Sequence, residues 1–195
     1  MKRFTSTALL AALAVSPVAS AHTASDTLLP SLWGGMIHPL LGLDHLLILV
    51  SMGMLAHFQA SSSNKKSTSL YLTKLSVVLF AMVAGLFLGH QFGVFAMMET
   101  VIVMSLFVPA AALFLRYEQT SISLLLSVVA LAGVAVHGWA HGVELAGASI
   151  WGFGLGMLGG SALAFVVGSY LARLLPKTFV ALAVSGSGLL ILLAA

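Results

Sequence analysis

Ile37-His38-Pro39-Leu40-Leu41-Gly42-Leu43-Asp44-His45-Leu46 places two imidazoles and a carboxylate inside an apolar run from Leu32 to Ala56. That run is long enough to cross a bilayer, whose hydrocarbon core takes about 20 helical residues. An ionisable group at that depth costs at least ~2.5 kcal/mol, so such groups persist mainly where they line a pathway or bind something. Imidazole with carboxylate is a donor set for a borderline divalent metal. The stretch points to an all-α, polytopic membrane protein that carries such an ion.

The composition agrees. Of 195 residues, 60% are hydrophobic and 7% charged, against about a quarter charged in an ordinary soluble domain. There is no cysteine, which excludes a disulfide framework, thiolate chemistry and sulfur-rich zinc or iron–sulfur sites. The start reads as a cleavable signal peptide over 1–21. Lys2 and Arg3 are followed by a short apolar core from Ala8 to Val15, a break at Pro17, and a small-x-small end at Ala19-Ser20-Ala21. Cleavage there would leave residues 22–195 as one transmembrane domain beginning with His22.

Six apolar stretches follow, at about residues 32–58, 70–88, 99–115, 122–139, 150–175 and 179–192. They read as six transmembrane helices after the signal peptide. Lys65, Lys66 and Lys74 flank the first loop, Arg116 the third, and Arg173 and Lys177 the fifth. All basic residues of the mature chain then share one side, which the positive-inside rule makes cytoplasmic. The mature amino terminus is left outside, in the periplasm if the membrane is a bacterial inner membrane. In the fifth stretch Gly152, Gly156, Gly160, Ala164, Gly168 and Ala172 recur every four residues. On a helix that is a smooth strip for close approach of another helix, with Ser185-Gly186-Ser187-Gly188 in the sixth stretch as its expected partner or a hinge. Two halves of three spans each would have opposite orientations, and each opens with a His-bearing span, as in inverted-repeat transporters.

On this topology the polar groups segregate. His38, Asp44, His45, His90, Glu99, His137, His141 and Glu144 all fall in the outer half or middle of the membrane, and His57 belongs to the inner side. His137, His141 and Glu144 stand at i, i+4 and i+7 on one helix face, where paired histidines can grip one ion. His38 and His45 are two turns apart, about 10 Å of rise on a straight helix. They serve successive positions on a path, unless the helix bends near Pro39 and Gly42. Asp44 is placed to ligate, to orient an imidazole, or to accept a proton. A zinc-dependent intramembrane hydrolase could use the same His/Asp cluster, but no HExxH motif or nucleophile motif accompanies it. Bis-histidine haem binding would make a coloured protein.

His38-Pro39-x-x-Gly42-x-Asp44-His45, then Glu99-x-x-Ile102-x-x-Ser105, then His137-Gly138-x-Ala140-His141-Gly142-x-Glu144 resembles the HupE/UreJ family over the whole mature chain. The first motif is also similar to the His-x4-Asp-His signature of a separate nickel/cobalt transporter family, one residue longer. Members often carry a further histidine in the fifth span, and this chain has none after His141. The resemblance implies a permease for nickel or cobalt, not an enzyme, often linked to hydrogenase or urease maturation. The metal would be cargo rather than a resident cofactor. No nucleic-acid partner is expected, and the oligomeric state, a homo-oligomer included, is left open.

Overall fold

The structure is a computed structural model that describes residues 27–62, 67–115, 121–145 and 149–194. The expected signal peptide, His22, Lys65, Lys66 and Arg116 lie outside those residues. Among the described residues the chain is all helical, without strands. The helices are α1 Leu28–Leu41, α2 Leu43–Ser62, α3 Ser67–Phe92, α4 Met98–Phe114, α5 Ser121–Glu144, α6 Ile150–Leu171 and α7 Lys177–Ala194. Segments within α2, α3, α5 and α6 are long and apolar enough to cross a membrane; α4 and α7 are apolar but shorter.

The first expected span is two helices rather than one. Pro39 has no amide hydrogen and weakens the last turn of α1. The helix stops two residues later, where Gly42 takes an extended conformation (φ −71°, ψ 114°). One backbone bond reaches back across the junction, from Gly42 N–H to the His38 carbonyl at 3.1 Å. The next turn restarts with Leu46 N–H on the Gly42 carbonyl at 2.9 Å.

Backbone-to-backbone packing at glycines sets how the helices pair. A Cβ on Gly156 or Gly160 would run into the carbonyls of Leu32 or Met36, and one on Gly168 into that of Val50. The small-residue strip of α6 therefore packs along α1 and then α2, in the same direction. The expected partner in α7 packs elsewhere: Gly188 faces Phe107 of α4, and the space at Gly186 is open. In the same way Gly85 of α3 meets Ala135 of α5, and Gly138 and Gly142 of α5 meet Met82 and Leu86 of α3. These two helices also run parallel. Of the remaining contacts, α4 packs against α7 as a third pair and almost as extensively against α5. Exchanging α1/α2, α3 and α4 with α5, α6 and α7 converts the first pair into the second and returns the third to itself. These pairs follow inverted-repeat logic, whereas the α4–α5 contact has no counterpart of similar size between α7 and α1/α2.

These directions put the described basic residues Lys74, Arg173 and Lys177 at one end of the bundle, and His38, Glu99 and Glu144 towards the other. At the basic end, Lys74 Nζ of α3 donates to Gln59 Oε1 of α2, and Gln59 Nε2 donates to Ser127 Oγ of α5 at 3.3 Å. Between the ends the core is apolar and closed, with Ile48, Leu49, Met54, Met82, Leu86, Met157 and Phe165 essentially without solvent contact.

Adding a side chain at a backbone contact forces helices apart and costs about 1–3 kcal/mol. Gly156→Leu and Gly138→Leu should each lower the thermal midpoint of the purified protein. Gly159→Ala, where nothing lies within 4 Å, should leave it in place. Thermal denaturation of the three variants in one detergent checks this.

Candidate metal centre

Three helices deliver the site. α1 contributes His38 from its last turn. α2 contributes Asp44 and His45 from its first, and α5 contributes His137, His141 and Glu144 from its last two turns. The ring centroids of His45 lie 4.7 Å from His137 and 4.2 Å from His141; those of His38 lie 4.5 Å from His141 and 5.9 Å from His45. Four imidazoles thus form one continuous cluster.

Within it the ligand atoms sort into two groups, His38 with His141 and Glu144, and Asp44 with His45 and His137. Inside each group one ligand atom per residue lies within 4.8 Å of the others. The first group opens outward, since the Glu144 side chain is 54% exposed and His38 Nε2 stands 3.6 Å from its Oε2. The second is more enclosed: His45 is buried and His137 has no exposure at all, while the Asp44 side chain is 25% exposed. Phe153 of α6 walls the outer group, with ring centroids 5.9 Å from His38 and 6.0 Å from His141.

This grouping differs from the one the spacing suggested. His137 and His141 share a helix face but not a group, whereas His38 and His45 fall in different groups, as their two-turn spacing suggested. The cause is local. The break at Gly42 lets His45 fold back until its Nδ1 would lie 2.9 Å from a Cβ at Gly42. The His137 ring is held down its own helix by the Gly133 carbonyl, 2.8 Å from Nδ1.

Those two hydrogen bonds also settle which nitrogens are free. A carbonyl and an ionised carboxylate only accept. So His137 Nδ1 donates to Gly133, and His45 Nδ1 donates to Asp44 Oδ1 at 2.8 Å. Each Nε2 then carries a lone pair, and neither Nε2 has a partner, although both are buried. Both ring nitrogens of His141 are buried and unpartnered as well. Buried polar atoms are nearly always satisfied, so four such atoms on three adjacent imidazoles are an unusual concentration. Neutral His141 keeps a proton on one of its two nitrogens, so the four atoms offer three lone pairs to a metal ion, one from each ring, with Asp44 as the orienting carboxylate behind one of them.

His90 and Glu99 do not join either group. Both are exposed, His90 in the last turn of α3 and Glu99 in the first turn of α4. Glu99 is nevertheless close enough to act electrostatically on Glu144, so the two acids share the outer rim. His57 is half-buried beside Phe58, far down α2 from the cluster. Gly133 and Phe153 were not singled out in the sequence. The one available signal for Gly133 was its position four residues before His137, where a helical carbonyl comes within reach of a side chain.

The model of the family described as HupE / UreJ protein matches residues 10–195 of this chain. Protein HupE of Rhizobium leguminosarum bv. viciae is 32% identical, over 89% of this chain and 86% of that protein. No solved structure matches the chain. The chain belongs to the HupE/UreJ family, which is linked to nickel and cobalt uptake, and with its four long apolar helices it is a multi-pass membrane protein.

If Asp44 holds His45 in the right tautomer, Asp44→Asn should weaken metal binding by about 10–100-fold, the usual cost of losing such an orienting partner. His57→Ala should bind as the wild type does. Co2+ titration of the purified protein, followed by visible absorption, measures both.

Proposed function

We propose that this HupE/UreJ protein is a six-span secondary permease of the bacterial inner membrane that carries Ni2+, or Co2+, from periplasm to cytoplasm. The observation that carries the reading is the cluster of unpartnered imidazole nitrogens split between an exposed and a more enclosed ligand group. Counting α1 and α2 as one broken crossing gives six crossings, and the basic residues at one end of the bundle support a cytoplasmic assignment for that end.

Glu99 and Glu144 at the rim raise the local concentration of cations. His38 and His141 then replace part of the ion's water, with Glu144 supplying charge. From there the ion passes to His45, His137 and Asp44, without leaving the reach of one group before it meets the next. The two groups hold one ion alternately rather than two at once. Two dications ~5 Å apart at an effective dielectric of about 20 repel by on the order of 13 kcal/mol, more than one carboxylate in each group offsets.

One turn below His137, at Gly133, the bundle is closed by Ser105 and the fully buried Ile48. Release inward therefore requires a rearrangement of α1/α2 and α6 against α3 and α5. No nucleotide-binding motif is present to drive it. A divalent ion moving inward gains about 4.6 kcal/mol per 100 mV, twice the single-charge value, which is ample for uptake.

Radioactive nickel uptake into cells expressing the wild type, His38→Ala or His141→Ala tests the reading. Both variants should fall to the background of cells lacking the protein. Equal accumulation in all three would overturn the proposal. Wild-type uptake should also decline below roughly pH 6, because protonated imidazole has no lone pair to offer.

A further inference from the structure

The break between α1 and α2 leaves oxygen atoms that the nitrogen cluster does not use. α1 ends at Leu41 and α2 begins at Leu43, and the junction is bridged only by the Gly42-to-His38 bond before Leu46 returns to Gly42. No helical amide returns to the carbonyls of Pro39, Leu40 or Leu41. These three oxygens stand at the C-terminal end of α1, the negative end of its dipole. Asp44, in the first turn of α2, adds a carboxylate on the other side of the gap.

A second observation comes from α6. Ser161 has no solvent exposure, and its Oγ has no hydrogen-bond partner. The other fully or largely buried serines of the inner bundle are satisfied: Ser51 on the Leu47 carbonyl, Ser105 on that of Ile102, Ser169 on that of Gly53. The register of α6 fixes the level of Ser161. Gly160 packs against Met36 and Pro39, and Gly168 against Val50. Residues 161–164 therefore lie at the level of the stretch between Pro39 and Val50, which contains the break. An orphaned hydroxyl thus lies at the depth where a helix has released three carbonyls.

We propose that this junction is a second cation site, for a sodium-sized monovalent ion, formed by the carbonyls of Pro39, Leu40 and Leu41 with the Ser161 hydroxyl and bordered by Asp44. The donor set is all oxygen and mostly neutral, which suits a hard, weakly demanding cation. Nickel prefers the imidazoles next door, and a magnesium-sized dication sheds its water too reluctantly for one carboxylate. Unwound carbonyls at a helix break are how membrane carriers hold alkali ions. Asp44 borders both sites, so the two cations compete for one carboxylate. Sodium at the break weakens the hold of His45 and His137 on the transported metal. Its role in transport rests on the permease reading; its binding does not.

The test is binding of radioactive sodium to the purified full-length protein with no divalent metal present, together with nickel affinity in sodium or choline chloride at equal ionic strength. Saturable sodium binding is expected, about tenfold weaker or lost in Ser161→Ala and retained in Ser161→Thr. Nickel should bind more weakly in sodium than in choline for the wild type, and equally in both for Ser161→Ala. Absence of saturable sodium binding to the wild type overturns the proposal. So does a Ser161→Ala protein that binds sodium normally. If the variant fails to fold, equal wild-type nickel affinity in the two salts overturns it as well. None of these outcomes depends on nickel transport, so a failure of the permease reading would be seen separately.

Discussion

Seven residues of straight helix would hold His38 and His45 about 10 Å apart along the axis; their ring centroids are 5.9 Å apart. That shortening comes from Pro39 and Gly42, which stop one helix and start the next within two residues. Everything at the centre of the bundle depends on it. The break turns His45 back towards the outer group and puts Asp44 at a helix N-terminus, where its charge is favoured. It also exposes main-chain oxygens that a continuous helix would have consumed. Non-helical backbone at membrane depth is tolerated only where protein or a cavity surrounds it, and here the tight contact of α6 with α1 and α2 does so.

Which nitrogen of an imidazole offers its lone pair is set by what holds the ring's proton. For His137 that is a carbonyl of its own helix, and for His45 the neighbouring carboxylate. The glycine at position 133 has a double effect. Its carbonyl takes the His137 proton, and its missing Cβ admits Ser105 of α4, which a side chain would strike. The outer group differs in character. It is partly wet, it includes an acid that is more than half exposed, and it is edged by an aromatic ring. An ion would thus meet the more exposed station first and the more enclosed one second, an order in which dehydration is gradual.

Much of the fold could be read from residue patterns. Hydropathy gave an all-helical chain of apolar segments, four of them long enough to cross a membrane, and the four-residue glycine ladder announced a close helix contact. What hydropathy could not give was the identity of the partner, because a smooth strip fits any other smooth strip. The contact went to α1 and α2, whose Gly35 and Gly53 also lack side chains, and not to the Gly186 region. The break at Gly42 was visible as Pro39 plus glycine, but its consequence was not. A helix that stops and restarts redistributes which side chains meet, so spacing on each helix alone put His137 with His141 when each belongs with a residue from another helix. Ser161 was invisible for a related reason: one serine among glycines carries no signal until its burial and its lack of a partner are known.

The central claim is that imidazole nitrogens from separate helices hold a single transported ion. X-ray absorption at the nickel edge of the purified, nickel-loaded protein addresses it most directly, together with the nickel content per chain. One nickel per chain with at least two imidazole rings in its shell is the predicted result. A hydrated ion with oxygen neighbours alone would contradict it.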